Sequence, residues 1–272
     1  MQARIESHRQ PPSNRPAHVK IATWNVNSLK VRLPQVLDWI AEHRPDALCL
    51  QELKMEDKAF PAEALAAAGY HAAFVGQKTY NGVAILSPDT PQEVVRNIPG
   101  FEDEQKRLIA ATIGDTRVVC GYFPNGQAVG SDKFAYKLDW LSALTDWLER
   151  ELEDHPRLVL CGDFNIAPED RDAHPDWKDE IHVSEPERTA FRRLVGLGLT
   201  DAFRLFDQPE RAFSWWDYRM MAFRRNFGLR IDHLLVSAPL VDACRSCAVD
   251  KAPRKLERPS DHAPVVLELS PP

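Results

Sequence analysis

The sequence predicts one α/β domain in which helices cover either two packed β-sheets or one large mixed sheet. Short apolar segments of strand length alternate with longer amphipathic segments, and the predicted strands outnumber the helices. At 272 residues, the chain has a length that a single α/β domain can reach. No linker, repeat or low-complexity tract follows residue 18, so we expect a polar, proline-rich and disordered arm at residues 1–18 and a folded domain at residues 19–272.

The predicted strands are short apolar segments, each bounded by polar or turn-forming residues. In chain order they occupy residues 19–26, 46–53, 71–76, 82–87, 107–114, 116–123, 157–166, 229–237 and 262–269. Four helices are predicted between them, at residues 32–43, 61–70, 133–152 and 185–198. The third helix is the clearest, because five apolar residues recur there at steps of three, four and seven: Phe134, Leu138, Leu141, Leu148 and Leu152.

Composition excludes several classes of protein. A hydrophobic fraction of 44% excludes a mostly disordered chain, and no apolar run approaches the roughly 18 residues of a membrane-spanning helix. The N-terminal residues lack the apolar stretch of a secretory signal. Five scattered cysteines, three of them inside apolar strand segments, predict buried free thiols in a reduced, cytoplasmic protein. A formal charge of −6 does not indicate a nucleic-acid-binding protein, although a whole-chain charge can hide a basic face.

Carboxylate and amide side chains stand at the ends of several predicted strands. They follow the apolar part of four strands, and one more acid with a neighbouring histidine precedes the last strand: Asn25, Glu52, Asp163, Asp232, Asp261 and His262. Any one of them could be a turn or cap residue. Glu52 fits the role of a turn or cap residue poorly. For five such sites together this role is improbable, because a buried strand gains nothing from an unpartnered carboxylate. Asp163 and Asn165 are two residues apart, so in an extended segment they would face one cavity while Phe164 points into the core.

The residue types in this set indicate which metal it suits. Oxygen atoms of Asp, Glu and Asn with one histidine and no thiolate suit Mg²⁺, Mn²⁺ or Ca²⁺ rather than zinc. Cys244-x-x-Cys247 resembles half of a zinc site, but the sequence has no second pair. The P-loop, dinucleotide-binding, α/β-hydrolase and H-E-x-x-H motifs are absent from the sequence. A divalent ion held by carboxylates beside an aspartate and a histidine is suited to the hydrolysis of phosphate esters.

Seven short motifs occur in the order, and at about the spacing, of the exonuclease III family: TWNVNSL, LQELK, GYFPNG, GDFNI, FSWWDYR, GLRIDHLL and PSDHAPV. Across residues 19–269 the chain therefore resembles these bacterial DNA-repair nucleases of the endonuclease/exonuclease/phosphatase superfamily. FSWWDYR is the motif that favours this family over the lipid and inositol phosphatases of the superfamily. The resemblance implies a four-layer α/β sandwich of two packed mixed β-sheets flanked by helices.

The resemblance also implies an activity on duplex DNA. The family cuts the backbone 5′ to an abasic site, removes nucleotides from 3′ ends and clears 3′ blocking groups, with Mg²⁺ or Mn²⁺. We therefore expect a DNA-repair phosphodiesterase that acts as a monomer in the cytoplasm, with no membrane and no obligate protein partner. Residues 166–184 lie in a segment that varies within the family, so the balance between abasic-site cutting and 3′ exonuclease action stays open. Two alternatives also remain, a superfamily enzyme for small or lipid phosphates and a non-enzymatic DNA-binding protein.

Roles carry over from the family by position in the motifs. The resemblance implies that Glu52 is the principal metal ligand and that Asp163 activates the attacking water. Asp232 would fix the tautomer and charge of His262 for contact with the phosphate, and Tyr122 would donate its hydroxyl to the phosphate or the leaving group. The candidate metal ligands, among which Asn25 could instead orient Glu52, are Asn25, Glu52, Asp163, Asn165, Asp261 and His262. The catalytic candidates are Tyr122, Asp163, Asn165, Asp232 and His262.

Two segments resemble DNA contacts. Residues 213–230 mix aromatic side chains with arginines, which suits stacking on an unpaired nucleotide, although a core aromatic cluster with solvated arginines would have the same composition. The substrate-binding residues that the resemblance implies are Arg107, Asn125, Phe213, Trp215, Met221 and Arg230. Phe213 and Trp215 would line a pocket for the abasic sugar, with Met221 as a wedge beside it. A second basic run at residues 251–258 is either a DNA contact or a solvated loop.

Overall fold

The structure is a computed structural model that describes residues 18–271 of the chain. All but the last residue of the predicted arm, residues 1–18, lie outside the described residues. Between residues 18 and 271, no helix is long and apolar enough to cross a membrane. The described chain forms two six-stranded β-sheets that pack face to face, with helices on both outer faces.

The first sheet contains strands from both ends of the described chain. Its members are β1 (Val19–Asn25), β2 (Ala47–Gln51), β3 (His71–Val75), β4 (Val83–Ser87), β11 (Cys244–Val249) and β12 (Val265–Leu269). Across the sheet they are ordered β11-β12-β1-β2-β4-β3. The central strands β1 and β2 are parallel, and the other neighbouring pairs are antiparallel.

The second sheet is built from the middle of the chain. Its members are β5 (Gln92–Arg96), β6 (Leu108–Ile113), β7 (Thr116–Tyr122), β8 (Leu158–Asp163), β9 (Leu199–Asp201) and β10 (Asp232–Ser237). They are ordered β5-β6-β7-β8-β10-β9, with β7 and β8 parallel and the other pairs antiparallel. Each sheet therefore has one parallel pair at its centre.

Helices cover the outer face of each sheet. They are α1 (Leu29–His43), α2 (Ala62–Ala67), α3 (Asp132–Asp154) and α4 (Glu185–Gly196). The short helix α5 (Ala238–Val241) instead buries Leu240 in the cluster between the sheets. Apolar side chains of α1 and α2 pack on the first sheet, and those of α3 and α4 pack on the second. Between the sheets, another apolar cluster buries Cys49, Cys120 and Cys161 as free thiols, as predicted. The layers run helices, sheet, sheet, helices, which confirms the four-layer sandwich that the resemblance implied.

The structure contains all nine predicted strands and all four predicted helices. It also contains three strands that were not predicted: β5, β9 and β11. All three lie at the edges of their sheets. β5 is largely exposed, β9 has only three residues, and β11 buries only part of its length. Edge strands bury less apolar surface than central ones, so these three lack the continuous apolar run that identifies a strand in the sequence.

The predicted strands extend beyond the observed ones by one or more residues, and two of these differences involve site residues. β8 ends at Asp163 rather than at residue 166, because the chain leaves the sheet at Asn165, whose φ is 52°. β10 begins at Asp232 rather than at residue 229, so Asp232 opens its strand instead of following it. Since β8 and β10 are antiparallel and Asp163 lies opposite Asp232, the two carboxylates still reach the same edge.

The directions of the central strands bring the candidate residues to one edge of the sandwich. β1, β2, β7 and β8 end at this edge, while β10 and β12 begin there. The inner strands of the two sheets pack against each other, so the residues beyond these strand ends surround a single mouth. Polar groups can therefore gather there without entering the apolar layer between the sheets.

Candidate active site

Three side chains at this mouth form a compact group of potential metal ligands. One ligand atom from each of Glu52, Asp163 and His262 lies within 4.8 Å of the other two. Asp163 and His262 are buried, with 1% and 4% exposure, while Glu52 is half-buried and open to the cleft. In the part of the chain that the structure describes, this is the only such group of three His, Cys, Asp or Glu residues.

Asn25 joins the two carboxylates of this group. Its side-chain amide donates to Glu52 Oε1 at 2.8 Å and to Asp163 Oδ2 at 2.9 Å. Its amide oxygen accepts a hydrogen bond from Asn27 N at 2.9 Å. Both amide protons are directed at carboxylates, so the geometry is that of a residue that orients Glu52 and Asp163 rather than of a metal ligand.

A lysine that was not identified from the sequence lies on the outer side of Glu52. Lys54 Nζ is 2.9 Å from Glu52 Oε2 and also donates to Asn27 Oδ1. Glu52 and Lys54 both have left-handed backbone conformations, with φ of 55° and 53°. Such conformations are unfavourable for residues with a Cβ atom and concentrate at functional sites. The position of Lys54 in LQELK, two residues after the candidate ligand, was the signal that could have identified it.

Asp232 and His262 form the hydrogen-bonded pair that the resemblance implied. His262 Nδ1 donates to Asp232 Oδ2 at 2.8 Å, and Ser214 Oγ donates to the same oxygen at 2.7 Å. His262 Nε2 lies 3.7 Å from Asp163 Oδ2. Burial lowers the pKa of His262, but the charges of Asp232 and Asp163 outweigh burial and raise the pKa to about 10. The imidazole therefore carries a positive charge at neutral pH.

The surroundings of Asp163 work against its ionisation. Burial, opposed by the charge of His262 and assisted by the charges of Asp232 and Glu52, raises the pKa of Asp163 to about 7. A hydrogen bond from Asn165 N at 2.9 Å fixes its Oδ1 atom. A carboxyl group with this pKa can accept and release a proton near neutral pH.

Tyr122 and Arg107 line a polar cavity beside the carboxylates. The cavity has a volume of about 600 Å³, and Asn125 also lines it. The Arg107 guanidinium lies 4.8 Å from the centroid of the Tyr122 ring and donates to the Tyr122 carbonyl at 3.2 Å. Burial, with the charges of Glu52 and Asp163, raises the pKa of Tyr122 well above its usual value. Its hydroxyl therefore stays protonated and can serve as a hydrogen-bond donor.

Asn165 reaches the site differently from the prediction. It does not continue β8 in an extended conformation, so it shares no strand face with Asp163. Its side-chain nitrogen donates to the Phe123 carbonyl at 3.0 Å, and its side-chain oxygen accepts from Asn125 Nδ2 at 3.4 Å. Phe164 is buried in the core, as predicted. The turn places Asn165 beside Asp163, with its side chain bound to the loop that carries Asn125.

Asp261 lies beside the ligand group but is not a member of it. Its carboxylate accepts hydrogen bonds from Trp215 Nε1 and from Asn27 Nδ2, each at 2.9 Å. Burial raises the pKa of Asp261, but the charge of His262 and these hydrogen bonds outweigh burial and keep the pKa below its usual value. Asp261 therefore holds the aromatic segment against the site.

Two predicted substrate-binding residues are buried in the protein. Phe213 is fully buried in an apolar cluster, so it is not a wall of an open pocket. Arg230 is 1% exposed, and its guanidinium lies 2.7 Å from an Asp172 oxygen and 2.8 Å from an Asp201 oxygen. A buried arginine needs such carboxylate partners, and it cannot reach DNA from this position. The predictions for Phe213 and Arg230 are therefore wrong.

Replacing Arg230 by methionine is expected to destabilise the fold rather than to remove a DNA contact. The variant leaves the carboxylates of Asp172 and Asp201 without their shared partner, and breaking a buried ion pair in this way costs about 3–5 kcal/mol. Urea unfolding measures the loss, with Arg219→Met as the control because the Arg219 side chain is 84% exposed. An Arg230→Met protein of wild-type stability with weakened DNA binding would contradict this expectation.

The outer part of the aromatic–arginine segment faces solvent beside the site. Met221 is 65% exposed, and Tyr218 and Met220 are exposed next to it. The ring centroid of Trp215 lies 6.5 Å from that of His262. Trp215 therefore lies beside His262 and Met221 is exposed to solvent, in contrast to the buried Phe213.

The second basic run, residues 251–258, contains one arginine that fits neither interpretation of the run, a DNA contact or a solvated loop. Arg254 is buried, donates to the Ser260 carbonyl, and lies 4.8 Å from the centroid of the Phe223 ring. Lys251 Nζ lies 5.4 Å from the centroid of the Trp216 ring. These cation–π contacts stabilise the aromatic segment from below, so Arg254 is neither a DNA contact nor a solvated side chain.

The fold and the site together define a class of hydrolases with a two-sheet sandwich and a carboxylate–histidine mouth. Residues 22–262 match the Endonuclease/Exonuclease/phosphatase family, and the chain belongs to this family. Exodeoxyribonuclease III of Haemophilus influenzae is 37% identical over 266 residues, which cover 92% of this chain and 100% of that protein.

Two solved structures are similar along most of the chain. The 3′ phosphatase NExo from Neisseria, bound to a product DNA hairpin, is 50% identical with a TM-score of 0.90, and the match covers 92% of this chain and 99% of that one. An AP endonuclease from Archaeoglobus fulgidus is 38% identical with a TM-score of 0.90, and the match covers 93% of this chain and 100% of that one. These comparisons confirm the resemblance to the exonuclease III family.

Proposed function

We propose that this protein is a divalent-metal-dependent hydrolase of phosphate esters in duplex DNA, which acts at 3′ ends and at abasic sites. The proposal is carried by the convergence of Glu52, Asp163, Asp232 and His262 at one mouth beside an exposed aromatic segment. The names of the similar proteins support it, since they are an exodeoxyribonuclease, a 3′ phosphatase and an AP endonuclease. Residues 19–272 would form the catalytic domain, acting as a monomer in the cytoplasm.

Asp163 and His262 divide the chemistry between a base and a cation. The Asp163 carboxylate accepts a proton from the attacking water, since it lies in the ligand group at the mouth and Asn165 N fixes its Oδ1 atom. His262 Nδ1 is bound to Asp232, which leaves Nε2 to donate a hydrogen bond to a phosphate oxygen. The positive charge of His262 then stabilises the negative charge that develops on the phosphate during the reaction.

Tyr122, Asn125 and Arg107 supply further donors along one wall of the mouth. The protonated Tyr122 hydroxyl contacts the phosphate or the leaving oxygen, and the Asn125 amide donates beside it. Arg107 adds a positive charge to the same wall through its position over the Tyr122 ring. Asn165 supports these groups from below, because it binds both Asp163 and Asn125.

Glu52 and Asp163 are the residues that would hold the metal, with Asn25 orienting both of them. When bound, Mg²⁺ would neutralise charge on the phosphate and on the leaving oxygen, and Mn²⁺ would substitute because it takes the same oxygen ligands. We assign His262 to the phosphate rather than to the metal, because Mg²⁺ prefers the oxygen ligands that Glu52 and Asp163 offer, and an imidazole paired with Asp232 suits contact with a phosphate. Asp261 supports the site by holding Trp215.

The exposed side chains of the aromatic segment are proposed to bind the duplex beside the reacting phosphate. Met221 is positioned to act as an apolar wedge between base steps, and Trp215 to contact the sugar of an abasic nucleotide. Arg224 and Arg225 are exposed on the same segment and suit contacts with backbone phosphates.

Addition of Mg²⁺ is expected to raise the Tm of the wild-type protein, and Glu52→Gln to abolish that rise. A ligand that binds only the folded state stabilises it, by about 2.7 kcal/mol at roughly 100 times its Kd. Thermal unfolding in Mg²⁺ and in EDTA measures the rise. Glu56→Gln is the matched control, because Glu56 is exposed and its ion pair with the exposed Lys58 lies outside the ligand group. A rise of equal size in Glu52→Gln would place the metal elsewhere.

A panel of labelled duplexes tests the proposed function. The duplexes carry a 3′ phosphate, a recessed 3′ hydroxyl end or an abasic site, and each is incubated with the protein in Mg²⁺ and in EDTA. We expect metal-dependent release of phosphate, removal of 3′ nucleotides and incision at the abasic site, and the relative rates give the preferred substrate. Inactivity on all three duplexes, with turnover of inositol phosphates or with tight DNA binding alone, would overturn the proposal.

A further inference from the structure

Helix α3 carries a fully buried lysine directly beneath the mouth. Lys137 Nζ donates to Glu187, to the Asn165 carbonyl at 2.8 Å and to the Asn125 carbonyl at 3.2 Å. Its three ammonium protons therefore have three oxygen partners. A buried ammonium group is unfavourable without such partners, so this arrangement uses the full bonding capacity of the lysine.

Glu187 extends these contacts to the start of helix α4. Its Oε1 accepts from His182 N at 3.1 Å, and its Oε2 accepts from Ser184 N at 3.1 Å and from Ser184 Oγ at 2.6 Å. The carboxylate is fully buried, like the lysine that it pairs with. The ion pair thus connects two helices to the two loops that follow β7 and β8.

The two carbonyls bound by Lys137 belong to residues that shape the site. Asn165 has a left-handed backbone with φ of 52°, and its N–H donates to Asp163 Oδ1. Its carbonyl is held from two directions, by Lys137 and by His182 Nδ1 at 2.7 Å. Asparagine tolerates this left-handed conformation better than most residues with a Cβ atom, and the two contacts to its carbonyl fix the direction of the turn. The orientation of the Asp163 carboxylate therefore depends on how firmly this carbonyl is held.

We propose that Lys137 and Glu187 are positioning residues for hydrolysis, which fix the Asn125 and Asn165 loops and through them the Asp163 carboxylate. The inference rests on the proposed function and adds to it a pair that touches neither the substrate nor the metal. A buried ion pair is seldom needed for stability, since apolar residues of similar volume often replace one without loss. Here the ammonium group binds two backbone carbonyls at once, which an apolar side chain cannot do.

The test compares two double variants that each remove a buried ion pair from helix α3. Lys137→Met/Glu187→Gln removes the pair beneath the mouth. Arg117→Met/Glu151→Gln removes a matched pair, in which a buried cation also binds a backbone carbonyl, that of Glu93. Glu151 is 14 residues from Lys137 along α3, a distance of roughly 21 Å at 1.5 Å per residue. The control therefore removes a buried ion pair of the same kind and lies far from the site.

Steady-state release of phosphate from a 3′-phosphorylated duplex in Mg²⁺ gives kcat and KM, and thermal unfolding gives Tm. We expect the Lys137→Met/Glu187→Gln variant to lose about 10- to 100-fold in kcat with KM within about 3-fold of wild type. The Arg117→Met/Glu151→Gln variant should keep the wild-type kcat even where its Tm falls equally. Equal kcat values for the two folded double variants would overturn the inference. An inactive wild type would instead overturn the proposed function.

A single variant keeps the inference testable if the first double variant does not fold. Glu187→Gln retains an oxygen acceptor for His182 but replaces the ionic partner of Lys137 with a neutral group. It is expected to reduce kcat by roughly 3-fold or more without a matching change in KM. A folded Glu187→Gln protein with wild-type kcat would overturn the inference.

Discussion

Asp163→Asn is expected to reduce kcat on a 3′-phosphorylated duplex by about 10³-fold, with the protein still folded. Asparagine has the shape of aspartate and can accept the hydrogen bond from Asn165 N through its amide oxygen. It cannot accept a proton from water, and it brings less negative charge to a divalent ion. Steady-state phosphate release in Mg²⁺ measures the effect, and a variant with wild-type kcat would contradict the role of Asp163 as the base.

The Tm of Asp163→Asn is also expected to depend on pH differently from that of the wild type, and this difference serves as the control for folding. Burial raises the pKa of Asp163 from the usual 3.8 to about 7, so this carboxyl group favours the folded state only when it is protonated. That contribution is complete below about pH 4 and is lost as the pH rises through about 7. In EDTA, Asp163→Asn should therefore have a higher Tm than the wild type at mildly alkaline pH and a similar Tm at acidic pH. A Tm lower than wild type throughout would show that the variant damages the fold.

His262→Ala is expected to reduce kcat by about 10²- to 10³-fold, because it removes a charged donor aimed at the phosphate. The loss should appear in kcat more than in KM, since the contact strengthens as negative charge develops on the phosphate. Steady-state kinetics on the same duplex measures both constants. His155→Ala is a suitable control, because His155 lies at the end of α3 and pairs with Glu151 away from the mouth. Equal activity of the two alanine variants would contradict the role of His262.

Asp232→Asn is expected to keep His262 in place but to move the alkaline limb of the pH–rate profile to lower pH. The charge of Asp232 opposes the effect of burial and, with Asp163, holds the pKa of His262 at about 10 instead of 6.5. The His262 cation therefore stabilises the folded protein fully below about pH 6.5, and this contribution is lost as the pH rises through about 10. Without the Asp232 charge, both activity and stability should decline from a lower pH. Profiles of kcat and Tm against pH that match wild type would contradict this pairing.

The convergence of the site could be predicted because its polar residues stand at the ends of buried strands. Glu52 and Asp163 lie where β2 and β8 end, and strands that end together bring such residues together. Asp232 was predicted to follow its strand, but it opens β10. Its location was nevertheless right, because antiparallel pairing with β8 puts Asp232 opposite Asp163. Strand direction is set by pairing between distant segments, which no local pattern specifies.

Whether a charged side chain is buried or exposed depends on partners that are distant in the sequence. Arg230 is paired with Asp172, which is 58 positions away, and Lys137 with Glu187, which is 50 positions away. An arginine among aromatic residues has the same local pattern whether it contacts DNA or a buried carboxylate, so the burial of Arg230 could not be predicted. Lys137 offered one signal, because it lies three residues after Phe134 on the apolar face of α3.

The claim that this mouth holds the catalytic metal is tested most directly by the position of bound Mn²⁺. Anomalous scattering from crystals of the wild-type protein locates the ion. We expect a peak at coordinating distance, roughly 2–2.5 Å, from carboxylate oxygens of Glu52 and Asp163. The peak should disappear in crystals of Glu52→Gln. If crystals of a protein that cleaves DNA with Mn²⁺ bind the ion elsewhere and leave Glu52 without it, the central claim is contradicted.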